Sequence, residues 1–151
     1  MPTHRLIVLL LLCLGLQTTA IAEERQFLPP EQAFKLAAGI VTANSVELNF
    51  EIAQGYHLYR DKFKFQSQTE GIEVGALQLP EAVLDHDEIL GDVWVYRGGA
   101  LKIDVPVINN SAQQQLKLQV KYQGCADRGV CYPPMQTRVS LELPALTAAA
   151  S

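Results

Sequence analysis

The sequence predicts an all-β domain, an antiparallel sandwich or barrel, from three observations: short segments that alternate apolar and polar residues, turn-forming pairs between them, and almost no helical periodicity. Val46 to Ile52 alternates at every position, the signature of a strand with one face on a core and one in water. The same pattern recurs at Phe63 to Phe65, Leu77 to Leu79, Leu101 to Val107, Leu116 to Tyr122 and Val139 to Leu143, and Val93 to Tyr96 is rich in strand-forming types. Gln54-Gly55, Glu70-Gly71, Gly98-Gly99, Asn109-Asn110 and Arg128-Gly129 supply the turns.

The elements follow in order from the amino terminus. His4 and Arg5 precede an apolar run from Leu6 to Leu16, and the small-residue site Ala20-Ile21-Ala22 follows before Glu23-Glu24-Arg25. This is the pattern of a cleaved secretory signal peptide over residues 1–22. The run is too short for a comfortable membrane span, and no later apolar stretch reaches spanning length, so the product is expected to be exported and periplasmic without a membrane segment. Cys13 lies inside the run behind Leu12 rather than behind a small residue, so it leaves with the signal rather than carrying a lipid. Pro30 to Leu36 offers a proline start and a turn or two of helix, which can run straight into a strand at Phe34. Pro106 lacks the donor that a ladder needs and calls for an edge position or a bulge in its strand. The tail at 148–151 is expected to fray, leaving one domain over residues 23–147.

That length supports one hydrophobic core rather than two. The net charge of −4 is spread over interspersed acids and bases, with neither a basic stripe for nucleic acid nor a polybasic membrane patch. Partners are therefore proteins or small molecules, and a monomer is expected. Of three cysteines, two survive signal removal, Cys125 and Cys131, in a compartment where disulfides persist.

These two flank an Asp127-Arg128-Gly129 turn at the end of a strong strand, and hairpin geometry can bring them within bridging distance. In the chain-entropy model such a short loop stabilises the fold by about 2.4 kcal/mol, against roughly 4 kcal/mol or more for a bridge between distant segments. It is a poorly placed staple. A short bridge in a turn is instead easily reached by an attacking thiolate, which must approach along the sulfur–sulfur axis. The spacing is not Cys-x-x-Cys, and no helix N-terminus is evident to lower a thiol pKa, so spacing alone leaves a structural and a redox-active bridge both open.

The run from Tyr122 to Pro134, Tyr-Gln-Gly-Cys-Ala-Asp-Arg-Gly-Val-Cys-Tyr-Pro-Pro, resembles the active-site segment of the amino-terminal periplasmic domain of DsbD thiol:disulfide interchange proteins. Further similarities occur in order at Phe27 to Phe34, Gly55 to Arg60, Leu79-Pro80, His86 to Gly91 and Tyr96-Arg97, covering nearly the whole chain after the signal. The resemblance implies an immunoglobulin-like β-sandwich with the cysteine pair on a hairpin. It implies that Cys125 and Cys131 are catalytic, taking electrons from a thioredoxin-like or membrane-embedded donor and passing them to oxidised periplasmic proteins such as disulfide isomerases or cytochrome-maturation thioredoxins. No cofactor is implied. Cys131 is the favoured sulfur for bonding to partners. The family's domain is usually followed by membrane segments and a thioredoxin-like domain, whereas this sequence ends at Ser151, so a stand-alone relative with a separate donor is expected.

The same resemblance places a cap loop over the disulfide at Asp87, Glu88, Ile89, Leu90 and Gly91. Where a well-known member has aromatic residues, this chain has Ile89 and Leu90, which exclude water but lack the aromatic contact with sulfur. His57 stands where that member has a tyrosine, whereas Tyr59 matches. Asp87 and Glu88 can raise a neighbouring thiol's pKa and hold the reduced pair unreactive until a partner moves the cap. His57 reads more simply as a packed or surface histidine, and Trp94 and Tyr96 as core or hairpin-supporting aromatics. Two other functions fit the residues less closely. One is copper(I) binding through Cys125, Cys131, Met135, His57 and His86; the other is a non-catalytic adaptor whose hairpin bridge is inert.

Overall fold

A computed structural model describes residues 26–145, so the signal peptide, Cys13 and the tail at 148–151 lie outside the described residues. The chain opens with one helical turn, α1 (Pro30–Ala33), followed by β1 (Phe34–Thr42), β2 (Ser45–Tyr59) and a 3-10 turn at Arg60–Lys62. Then come β3 (Lys64–Ser67), β4 (Ile72–Val74), β5 (Val83–Asp87) and β6 (Gly91–Asn109). The last four strands are β7 (Gln115–Tyr122), β8 (Gly124–Ala126), β9 (Val130–Cys131) and β10 (Met135–Glu142). One sheet runs β4-β6-β2-β8-β9, with β1 added on β2 and β5 on β6; the other runs β10-β7-β3. Every pairing is antiparallel, and the result is a sandwich rather than a barrel.

The alternation in β2 does what its period dictates: Val46, Leu48, Phe50 and Ile52 are buried while Asn49 and Glu51 face water. Leu101, Ile103, Val105 and Val107 of β6 join them, and Leu116, Leu118 and Val120 of β7 close the core from the other sheet. Phe50 meets Tyr122 and Phe63 edge-on, at 5.0 and 5.4 Å between ring centroids.

Several elements differ from the sequence reading for local reasons. The helix stops at Ala33, and Phe34 begins a strand, as the sequence allowed. Leu77 to Leu79 is not a strand; both leucines pack on the core from an irregular connection instead. Val83 to Asp87 is a strand that the alternation did not reveal, because it pairs only with β6 and presents Val83 and Leu84 to solvent. Pro106 sits inside β6 between two neighbours, but β4 makes its last pair at Val74 with Val107, so the missing N–H falls just past the end of that ladder.

Gln54-Gly55 and Gly98-Gly99 do not end strands. They form one irregularity inside the β2–β6 ladder, where the register passes from Ile52 opposite Gly99 to His57 opposite Arg97. Gly55 and Gly99 have φ of 80° and 126° there, a region in which a side chain would be strained. Beyond this bend β2 takes β8 as a neighbour, which carries His57, Leu58 and Tyr59 toward the cysteines.

The β8 contact is tight. A Cβ on Gly124 would lie 2.3 Å from the His57 carbonyl oxygen and 2.8 Å from the Phe34 ring. Gly124→Ala is therefore expected to cost about 3 kcal/mol, the upper end of ordinary overpacking, because backbone rather than a flexible side chain must give way. A urea unfolding midpoint checks it.

Candidate active site

The cysteine hairpin is built from β8 and β9. Its turn is closed by the Gly129 N–H donating to the Ala126 carbonyl at 2.9 Å, and Gly129 takes a positive φ of 92°. Cys125 lies directly opposite Cys131, and the two are joined by a disulfide. The Tyr132 N–H donates to the Gly124 carbonyl, so that pair is hydrogen-bonded and the adjacent cysteine pair is the non-hydrogen-bonded kind, whose side chains approach more closely. The two sulfurs are unequal in access: Cys125 is 2 % exposed, whereas Cys131 lies on the exposed edge strand.

Tyr59, at the end of β2, reaches the disulfide from below. Its hydroxyl lies 3.1 Å from Cys125 Sγ and 3.9 Å from Cys131 Sγ, and it donates to Asp87 Oδ2 at 2.6 Å. The second Asp87 oxygen accepts the N–H groups of Ile89 and Leu90, each at 2.8 Å, which shapes the turn after β5. The Tyr59 hydrogen bond, followed by those from Leu90 and Ile89, holds the Asp87 carboxyl below its ordinary value of 3.8. Burial, and then Asp87 itself, push the Tyr59 phenol far above its usual range.

A carboxyl whose folded pKa is lowered stabilises the fold above its unfolded pKa, and that contribution disappears as pH falls through the lower folded value. The urea midpoint of the wild type should therefore exceed that of Asp87→Asn at neutral pH, and the two should converge as pH falls below about 4. Midpoints measured across that range check this.

A transverse row crosses the sheet beside the disulfide: Arg97 on β6 stands opposite His57 on β2, His57 opposite Cys125, and Cys125 opposite Cys131. Asp127, in the cysteine turn, holds two side chains of this row. Its Oδ1 takes His57 Nδ1 at 2.7 Å and Arg97 Nη1 at 2.9 Å. Arg97 Nη2 donates to Asp85 of β5. The buried His57 ring also lies edge-on to Tyr59, at 5.3 Å. Between the two hairpins is an open cleft of about 560 Å³, lined among others by Cys125, Cys131, Asp87, His57, Arg97 and Ile89.

Residues 24–143 match the family model described as the N-terminal region of the thiol:disulfide interchange protein DsbD. The chain belongs to this family. Over 125 residues it is 42 % identical to thiol:disulfide interchange protein DsbD 1 of Pseudomonas aeruginosa, a match that takes in 83 % of this chain and 21 % of that protein. Over 145 residues it is 37 % identical to DsbD of Ralstonia nicotianae, covering 94 % of this chain and 23 % of the relative. The chain thus spans about a fifth of the length of these curated relatives. Among solved structures, the reduced DsbD N-terminal domain of Neisseria meningitidis superposes with a TM-score of 0.67 at 32 % identity, over 77 % of this chain and 90 % of that one. The complex of the DsbD and PilB N-terminal domains from the same organism gives 0.61 at 29 % identity, over 81 % and 95 %. The immunoglobulin-like sandwich expected from the sequence is the fold of this DsbD N-terminal domain.

Within this DsbD domain the residues of the expected cap have separate positions. Asp87 ends β5 beneath the tip of the β5–β6 hairpin and bonds to Tyr59, and Gly91 opens β6 with a positive φ of 76°. Glu88, Ile89 and Leu90 form the tip between them and are exposed; Ile89, 90 % exposed, lines the cleft that also holds Cys125 and Cys131. Trp94 lies opposite Leu84 on the outer face of this hairpin, whereas Tyr96 is buried and donates its hydroxyl to the Pro80 carbonyl. His86 pairs with Asp92 in solvent. The sequence reading gave no role to Asp85, Arg97 or Asp127. Only the cross-strand register brings those three charges together, and their spacing along the chain carries no trace of it.

Proposed function

We propose that this DsbD domain is a periplasmic thiol:disulfide oxidoreductase component that relays two electrons at a time through Cys125 and Cys131. The observation that carries the reading is the asymmetry of the bridge: one sulfur open on an edge strand, the other buried against a tyrosine hydroxyl. In the oxidised form the thiolate of a partner dithiol attacks Cys131 Sγ. The sulfur–sulfur bond breaks, Cys125 leaves as a thiolate, and a mixed disulfide joins the partner to Cys131. The Tyr59 hydroxyl, 3.1 Å from Cys125 Sγ, stabilises that thiolate by turning its proton from Asp87 to the sulfur. The partner's second thiolate then attacks its own sulfur in the mixed disulfide and releases Cys131 as a thiolate. The partner leaves oxidised, with this domain reduced by two electrons.

Delivery runs the same steps backward against an oxidised target: Cys131 attacks, and Cys125 resolves. The donor in this reading is a thioredoxin-like or membrane-embedded dithiol, and the targets are oxidised periplasmic proteins such as disulfide isomerases or cytochrome-maturation thioredoxins. The PilB complex of the Neisseria relative supports docking of a protein partner on a domain of this fold. The cleft walls of Asp85, Asp87 and Arg97 supply polar contacts for one. Cys131 also turns its own N–H and C=O away from β8, because its pair with Cys125 is not hydrogen-bonded, so the edge of β9, unpaired among the described residues, can take an extended partner segment.

A redox titration tests the reading. A relay pair equilibrates reversibly with a dithiothreitol or glutathione buffer at a potential above about −300 mV, whereas an inert structural bridge stays oxidised until well below it.

A further inference from the structure

We infer that Arg97 is a positioning residue that ties the β5–β6 hairpin to the cysteine turn and so sets access to the Cys131 sulfur. This rests on the exchange reading only in taking Cys131 as the attacked sulfur. No ladder joins the two hairpins: β5 pairs with β6, and β9 with β8. Two carboxylates of β5 make side-chain ties toward the cysteine hairpin, one through Arg97 and one through Tyr59 of β2. Asp85 and Asp87 alternate along β5 and so share its cleft-facing side. Asp87 is received by the Tyr59 hydroxyl at 2.6 Å, and Asp85 by Arg97 Nη2.

The Arg97 tie has a property that the Tyr59 tie lacks. The guanidinium uses its two terminal nitrogens on carboxylates from different hairpins, Asp85 on one side and Asp127 on the other. Arg97 itself is anchored on the central sheet opposite His57, which shares Asp127 Oδ1. Removing the guanidinium leaves the Asp85 and Asp127 carboxylates without the cation they share. Like charges at this range repel, and the β5–β6 hairpin can yield to that repulsion because β5 is an edge strand. The groups are 32–42 % exposed at the side chain, so salt weakens the tie without abolishing it.

The test is the second-order rate at which dithiothreitol reduces the Cys125–Cys131 bridge, measured with the midpoint potential in the same buffer. Arg97→Met and Asp85→Asn should each raise the rate at least about threefold, the scale of one partly exposed ion pair, with Arg97→Lys lying between Met and wild type. The midpoint potential should not move, because access speeds reduction and reoxidation alike. A rise below threefold in Asp85→Asn, or a rate change matched by an equal change in the equilibrium constant, overturns the inference. Asp85→Asn alters an edge strand without touching the core, so it decides the matter even where Arg97→Met fails to fold. A domain that exchanges with no protein partner still yields these rates, so failure here is distinct from failure of the relay reading.

Discussion

With each cysteine replaced singly by serine, the Cys131 thiol that remains in Cys125→Ser is expected to react with iodoacetamide at least about tenfold faster than the Cys125 thiol that remains in Cys131→Ser. The burial difference drives the expectation. Cys125 belongs to a small cluster with Tyr59 and Val95, and all three are at most 4 % exposed, so an electrophile reaches its sulfur far less readily. Cys131 is on the outermost strand of its sheet among the described residues. Charge acts in the same direction. A thiolate at Cys125 sits near the Asp87 carboxylate that shares its tyrosine, which keeps more of that thiol protonated. Equal rates would mean that the two sulfurs exchange places freely, and the ordered mechanism would have to be abandoned.

The second large effect concerns Tyr59. In the reduced domain its single hydroxyl proton is sought by two anions, the Asp87 carboxylate at 2.6 Å and any thiolate at Cys125, whose sulfur lies 3.1 Å away in the oxidised form. In the Cys131→Ser background, Tyr59→Phe should raise the pKa of the Cys125 thiol by about one unit, since a hydrogen bond to a charged group stabilises it by about 1.5 kcal/mol. Asp87→Asn should lower the same pKa, because it removes a nearby negative charge and leaves the phenol free to donate to sulfur. Absorbance at the thiolate band reads both, and because ionisation is an equilibrium, any change in access to the cleft does not affect it. Shifts of the same sign in the two variants would show that Tyr59 acts by packing alone.

Much of the sandwich was legible in the sequence because period two survives wherever one face is buried. Val46 to Ile52, Leu101 to Val107 and Leu116 to Tyr122 all became strands with the inward residues that their alternation specifies. The failures occurred where burial is not one-sided. Val83 to Asp87 belongs to a hairpin standing clear of the core, so no periodic apolar face marks it. Gly98-Gly99 read as a turn because glycine permits both a turn and a bulge, and only the partner strand decides between them.

The site divides in the same way. The cysteine pair and Tyr59 were singled out through the family resemblance of their segments, and the structure brings them within 3.9 Å of one another. Asp127 and Arg97 are 30 residues apart in the chain and meet because β2 is bent at Gly55 and accepts β6 on one side and β8 on the other. No composition or spacing rule encodes that meeting. Ile89, which the resemblance placed in the cap, lines the cleft with the cysteines and is 90 % exposed, while Asp87 makes the contact with the sulfur's tyrosine.

The most direct measurement is partner trapping. With Cys125→Ser and Cys131→Ser produced separately in the periplasm, covalent adducts are isolated without reductant and identified by mass spectrometry. The relay reading predicts that Cys125→Ser accumulates mixed disulfides through Cys131 with cysteine-bearing periplasmic proteins, that reductant releases them, and that Cys131→Ser accumulates few or none. Adducts absent from both variants would contradict it and leave Cys125–Cys131 as a hairpin bridge without exchange chemistry.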